Sequence, residues 1–346
     1  GTKSFVEQII PKKPISVEHN WQKELASSFT DPAKLLQHLG LDQEKYAQHI
    51  KARRLFPMRV PRHFVDLMEK ENPNDPLFLQ VMPLSDEFLT SPGYSEDPLD
   101  EHDTAGKGIL HKYDSRVLLM VRTGCAVNCR YCFRRHFPYA DNAVSKHQWL
   151  DVLEYLRSNN KINEVIFSGG DPLMAKDEHL SWLANEIAPI PHIKRLRIHS
   201  RLPVVLPERI SHDFVEWFSA LPLQKVLVLH ANHANEMSET LKVRLNILRE
   251  KGVTLLNQSV LLKGINDSAD AISDLSETLF EAGVLPYYLH VLDKVQGASH
   301  FYVSDDKGRA IMEEAIKRLP GFLVPKLVRE IGGQPGKTPI DLKLHP

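Results

Sequence analysis

RVLLMVRTGCAVNCRYCFRRHF, Arg116 to Phe137, joins an apolar run at Val117 to Val121 to a loop that holds every cysteine of the chain, Cys125, Cys129 and Cys132. Three thiolates in C-x3-C-x2-C spacing can bind three irons of a four-iron four-sulfur cluster and leave the fourth iron open to do chemistry. The same thiolates with His136 would also suit a structural zinc ion, and buried cysteines without a metal behave as small apolar side chains. Spacing leaves all three readings standing. It does disfavour a disulfide framework, because the cysteines are packed into eight residues, and a reducing, cytoplasmic setting is therefore expected.

Outward from that loop, short apolar runs alternate with amphipathic segments. The runs are Val117 to Val121, Glu164 to Phe167, Arg195 to His199, Lys225 to His230, Thr254 to Ser259 and Tyr287 to Leu292. Helical spacing recurs near 145–158, 176–188, 207–219, 236–251, 268–282 and 305–318. Six βα units of this kind imply parallel strands joined by right-handed crossovers. Periodicity does not choose between an open doubly wound sheet and a barrel, but the polar residues do. Gly124 and Cys125, SGGDPL (Ser168 to Leu173), HSRLP (His199 to Pro203), HANHANE (His230 to Glu236), NQS (Asn257 to Ser259) and HVLDK (His290 to Lys294) follow or close the successive strands. A curved, partial TIM-like (β/α)6 barrel would bring all six ends to one ligand, whereas a flat sheet would spread them.

The chain divides into residues 1–114, a helical extension and wrap; 115–320, the partial barrel; and 321–346, a short carboxyl-terminal segment. Within the first part, Asp31 caps and Gly40 ends a helical stretch, and two or three short helices are expected between Trp21 and Leu79. The 346 residues suffice for a large core, and a net charge of −1 gives no global field to attract nucleic acid or a membrane surface. No apolar stretch is long enough to span a bilayer, and GTKSFVEQIIPKKP lacks the apolar core of a secretory signal. A small-molecule ligand is expected instead.

Two glycine-rich turns carry further chemistry. SGGDPL lets backbone approach a ligand closely, with Pro172 stiffening the turn; taken alone it is also an ordinary strand-to-helix turn capped by Asp171. REIGGQPGKTPI, Arg329 to Ile340, sets Lys337 after an apolar FLVPKLVRE that reads as a docked strand. A lysine whose pKa is lowered by desolvation or nearby cations can bond covalently to an aldehyde.

Taken in order, CRYCFRRHF, FSGGDPL, RIHSRLP, HANHANE, LLNQSVLL and GGQPGKTP resemble the motifs of the lysine 2,3-aminomutase family of radical S-adenosylmethionine (SAM) enzymes, from Trp21 to Leu342. The resemblance implies an isomerase that moves the amino group of L-lysine from C2 to C3. It implies a 4Fe-4S cluster on Cys125, Cys129 and Cys132 with SAM on the open iron. Ser168, Gly169, Gly170 and Asp171 would meet the cofactor's methionine amino group, and Ser200, His230 and Gln258 its ribose, adenine or carboxylate. Lys337 would carry pyridoxal 5'-phosphate (PLP), with Lys112 and Arg116 on the phosphate. Arg134 would meet the substrate carboxylate, and Asp293 and Glu330 its distal ammonium. Members active in lysine catabolism typically carry Asp at the position of Glu330 and continue past the lysine motif, whereas this chain ends at Pro346.

Within the family the resemblance is nearest to the short members, and it implies that the chain makes (R)-β-lysine for attachment to translation elongation factor P. Elongation factor P, its lysyl-tRNA-synthetase-like ligase and a reductant for the cluster are therefore the expected partners. Two other readings are an aminomutase of lysine catabolism or of another amino acid, and a zinc-stabilised binding module without catalysis.

Overall fold

The computed structural model describes residues 21–52, 58–82, 108–111, 113–122, 146–292, 299–330 and 337–344. The three cysteines, Lys112, Arg134 and Asp293 lie outside them, as do the side chains of Glu330 and Lys337.

One nine-stranded sheet organises the described chain, its strands lying side by side in sequence order. They are β1 (Ile109–Leu110), β2 (Arg116–Arg122), β3 (Glu164–Gly169), β4 (Arg195–Ser200), β5 (Gln224–Leu229), β6 (Thr254–Leu261), β7 (Leu285–Val291), β8 (Lys326–Glu330) and β9 (Lys337–Pro339). Strands β2 to β8 run parallel, and β1 and β9 pair antiparallel at the two edges. This is the mostly parallel α/β sheet of a partial TIM-like barrel. The six expected strands are β2 to β7; KLVRE adds a seventh parallel strand, and the edge strands are too short to produce a legible period.

Short helices line the amino-terminal region: α1 (Pro32–Leu39), α2 (Ala47–Ala52), α3 (Arg62–Asp66) and α4 (Phe78–Val81), after a helical turn at 21–26. The first begins where Asp31 Oδ1 accepts from Ala33 N at 3.0 Å and ends at Gly40, whose φ of 71° is left-handed. That backbone suits a residue without Cβ. More helices form than the two or three expected, because turns of four to six residues are too short for periodicity to register.

The longer crossover helices are α5 (Lys146–Ser158), α6 (Asp177–Ile187), α8 (His212–Ala220), α9 (Glu239–Glu250), α10 (Ala269–Glu281) and α11 (Asp305–Arg318), with the single turn α7 (Leu202–Val205) between β4 and α8. Four of them start on a serine cap. Ser211, Ser238, Ser268 and Ser304 accept from the backbone N–H of Phe214, Leu241, Ala271 and Lys307 at 3.1–3.2 Å, each cap contributing about 1 kcal/mol. Buried positions recur at helical spacing, as in Leu180, Leu183, Ala184 and Ile187 of α6. These stripes pack against strand residues such as Val165, Phe167, Leu196, Ile198, Leu227 and Leu229 to form the main core. The alternate strand positions face the other way. In β4 these are Arg195, Arg197 and His199, all of intermediate exposure, so β4 turns polar side chains to the second face of the sheet, where their register partners Ile166, Val226 and Val228 are apolar.

Candidate active site

Strand ends meet the loops that follow them through buried side chains. Asp171, just past β3, is almost fully buried, and its carboxylate accepts four hydrogen bonds. Leu173 N donates to Oδ1 at 3.1 Å and Ser200 Oγ at 2.6 Å; Arg201 N and Leu202 N donate to Oδ2 at 3.0 and 2.9 Å. Burial holds its pKa above the ordinary carboxylate value although all four bonds pull the other way. Asp171 and Ser200 thus tie the SGGDPL turn to the end of β4. Gly169 sits at φ 116°, a conformation costly for any residue with a Cβ, and Ser168 is buried beside it.

The next strand ends carry His230, directly after β5, and Gln258, within β6. Leu229 is in register with Asn257, so the two residues that follow, His230 and Gln258, occupy neighbouring positions. Asn257 holds them together by bracketing the backbone of Ala231: its Oδ1 accepts from Ala231 N at 2.9 Å and its Nδ2 donates to Ala231 O at 3.0 Å. Burial first, then the charge of Arg201 and the proximity of His290, lower the His230 pKa to about 3, so the ring is neutral near pH 7.

Deeper in the interior lies a cationic floor. Arg116, Glu164 and Arg195 are register partners across β2, β3 and β4. The buried Glu164 accepts from Arg195 Nε and from Arg197 Nη2, while the Arg116 guanidinium stands 3.9 Å from the Tyr113 ring centroid. One carboxylate is shared by two guanidiniums, and a third arginine, Arg116, is the register partner of Glu164. Arg197 Nε is buried without a hydrogen-bond partner among the described residues. Tyr288 adjoins this floor; burial, reinforced by its hydrogen bond with Tyr287, pushes its pKa up to about 12, against the opposing pull of Arg116 and Arg197. Excess positive charge with an unsatisfied N–H fits a phosphate ester, the group expected at Arg116. The neutral imidazole and amide at the rim, beside backbone opened by Gly169, fit an uncharged nucleoside.

Of the residues expected at the site, the fold sets Arg116 at the start of β2, Ser168, Gly169, Gly170 and Asp171 at the end of β3 and in its turn, Ser200 at the end of β4, His230 just after β5 and Gln258 within β6. Sequence reading missed Glu164, Arg197, Tyr288 and Asn232. The signal for Arg197 was present: in RLRIHS, charged residues alternate with apolar ones in a segment that also reads as a strand.

A family model for the Radical SAM superfamily matches residues 120–275. The L-lysine 2,3-aminomutase of Escherichia coli is 57% identical over 94% of this chain and 96% of that protein. The Haemophilus influenzae protein of the same name is 52% identical over 96% and 98%, and that of Clostridium subterminale 33% identical over 93% and 78%. Similarity so nearly end to end covers the extension, the sheet and the carboxyl-terminal strands together. This chain belongs to the L-lysine 2,3-aminomutase family of radical SAM enzymes, which are isomerases built around an iron-sulfur cluster and SAM.

Proposed function

We propose that the chain converts L-lysine to (R)-β-lysine as a radical SAM, PLP-dependent aminomutase, and that the product is destined for elongation factor P. The observation that carries the reading is one of register. Lys337 is the partner of Glu330 in the β8–β9 pair, and Glu330 is the last residue of β8. The backbone of Lys337 therefore enters the sheet at the same end of the strands as Ser168, His230 and Gln258, where βα folds gather their chemistry.

When bound, the cluster with SAM supplies hydrogen-atom abstraction and PLP supplies an electron sink for the migrating nitrogen. The protein's part is to hold and exclude. Cys125, Cys129 and Cys132 hold three irons, and Ser168, Gly169, Gly170, Asp171, Ser200, His230 and Gln258 orient SAM. Lys337 would hold PLP through its aldehyde, and Lys112 and Arg116 would hold its phosphate, with Arg197 contributing from the Glu164 cluster. Arg134 takes the substrate carboxylate bidentately. Asp293 and Glu330 take the distal ammonium and repel a glutamate side chain, a discrimination of several kcal/mol at intermediate dielectric.

Anaerobic incubation of the reconstituted protein with L-lysine, dithionite, SAM and PLP tests the whole reading, with β-lysine the expected product. Release of β-lysine only from peptides, or isomerisation of a different amino acid from a panel, would redirect the substrate assignment. A colourless protein holding zinc and no iron or sulfide would sink the radical chemistry. Elongation factor P is tested separately, by whether its ligase attaches the product to it in a coupled reaction.

A further inference from the structure

A buried amide chain links the amino-terminal helices to the strand end that carries His230, and each link fixes the next. Arg201 can only donate, and its Nη2 lies 3.2 Å from Gln80 Oε1. The Pro76 carbonyl can only accept, and it takes Gln80 Nε2 at 3.0 Å. The Gln80 amide therefore has one allowed orientation. Its oxygen receives Asn232 Nδ2 at 3.0 Å, while Val260 N–H donates to Asn232 Oδ1 at 2.9 Å, so Asn232 is fixed in turn. His230 Nε2 lies 3.2 Å from that same Oδ1. An oxygen facing it requires the nitrogen to carry the proton, which leaves Nδ1 as the acceptor of a neutral ring.

The same cluster closes around Arg201. Its Nη1 is 2.9 Å from Glu236 Oε1 and donates to the His230 carbonyl, and Glu236 Oε2 accepts from Asn232 N at 2.8 Å. Gln80, Asn232 and Glu236 are fully buried. A polar network sequestered to this degree holds its members in one arrangement, and Gln80 brings the amino-terminal region into it from 152 residues away in sequence.

We infer that Asn232, oriented by Gln80, is a positioning residue that locks His230 as its Nε2–H tautomer and so presents Nδ1 as an acceptor to the adenosine half of SAM. The inference rests on the proposed reading of His230 as a SAM contact. The N–H groups of the nucleoside, such as the adenine amine, are the donors that this acceptor would select.

The test uses the reconstituted full-length protein with its cluster oxidised. Hydrogen–nitrogen correlation spectra of protein labelled with [15N]histidine, assigned by loss of one ring in His230→Gln, should show the Nε2–H form in the wild type. An Nδ1–H form there overturns the inference without any variant having to fold. Calorimetry then compares Gln80→Met and Asn232→Ala with wild type. Affinity for SAM and for 5'-deoxyadenosine should fall about tenfold, the factor carried by one hydrogen bond, while affinity for methionine stays unchanged. Equal losses for both halves, or none for either, would mean a scaffold role only and overturn the inference. Wild-type protein that carries its cluster but binds no SAM would instead overturn the cofactor reading of His230, and this inference with it, whatever the tautomer.

Discussion

The Ser200 hydroxyl donates to Asp171 Oδ1 across 2.6 Å, joining the turn after β3 to the end of β4. Asp171 serves four donors with two oxygens, so an amide at this position cannot satisfy them. In Asp171→Asn the NH2 group must face either two backbone N–H groups or Leu173 N together with a Ser200 hydroxyl turned to accept. At least one buried N–H is stranded and the other donors lose a charged acceptor, which together cost about 2–5 kcal/mol, although the substitution is isosteric. Ser200→Ala removes one donor and should cost about 1–2 kcal/mol. Urea unfolding of the two variants should rank them in that order, and equal stability of Asp171→Asn and wild type would refute the account.

Arg209 and Asp177 form the most deeply buried ion pair among the described residues, with Nη1 to Oδ2 at 3.1 Å and Nη2 to Oδ1 at 2.9 Å. Arg209 Nε also donates to Leu173 O at 2.6 Å, and Trp217 Nε1 donates to Asp177 Oδ1 at 2.8 Å. The guanidinium lies 4.5 Å from the Trp21 ring. This pair anchors the chain after SGGDPL to both α8 and the amino-terminal region. Arg209→Ala strands a buried carboxylate and should cost about 3–5 kcal/mol, whereas Arg209→Met with Asp177→Leu should recover a large part of that loss. A double-mutant cycle on unfolding free energies measures the coupling, and additive losses would show that the pair does not act as one.

What the sequence made legible was whatever local pattern controls. Strand and helix alternation gave the six βα units because each stripe of apolar residues must bury against the sheet. His230 and Gln258 stood out because polar residues at strand ends have few structural uses in combination. Gln80 was illegible, since one glutamine in FLQV says nothing about a partner 152 positions away. Arg197 was hidden by convention: charged residues in a strand are commonly read as solvent-facing, yet its side chain is only 12% exposed and shares the Glu164 carboxylate with the more exposed Arg195. Strand β9 has three residues amid glycine and proline, and only pairing with β8 defines it.

His230 makes stability depend on pH in a definite direction. Its folded pKa is depressed to about 3 from 6.5, so the unfolded chain takes up a proton that the folded chain refuses. The contribution is complete above about pH 6.5 and is lost progressively as the pH falls toward 3. The slope between those limits approaches 1.4 kcal/mol per pH unit for one such group. Unfolding free energies of wild type and His230→Gln, compared at pH 7, 6 and 5, should converge as the solution is acidified. A difference that stays constant with pH would show that the ring titrates normally.

The cationic floor predicts selectivity for a phosphate rather than for the ring that carries it. Arg197→Met removes a guanidinium bonded to Glu164, and Arg116→Met removes one stacked on Tyr113; each should weaken PLP binding about 10–100-fold, the range for a charge-assisted hydrogen bond in a partly buried site. Pyridoxal without its phosphate has nothing for these groups to hold and should bind wild type and variants alike. Absorbance titrations with both compounds give the ratio directly. If the variants lose pyridoxal and PLP by the same factor, the arginines maintain the shape of the pocket, and its phosphate subsite must be sought elsewhere on the interior face. The Tyr288 hydroxyl, with its pKa pushed up to about 12, stays protonated throughout the pH range of such a titration, so a pH-dependent loss of PLP between 7 and 9 cannot be assigned to it.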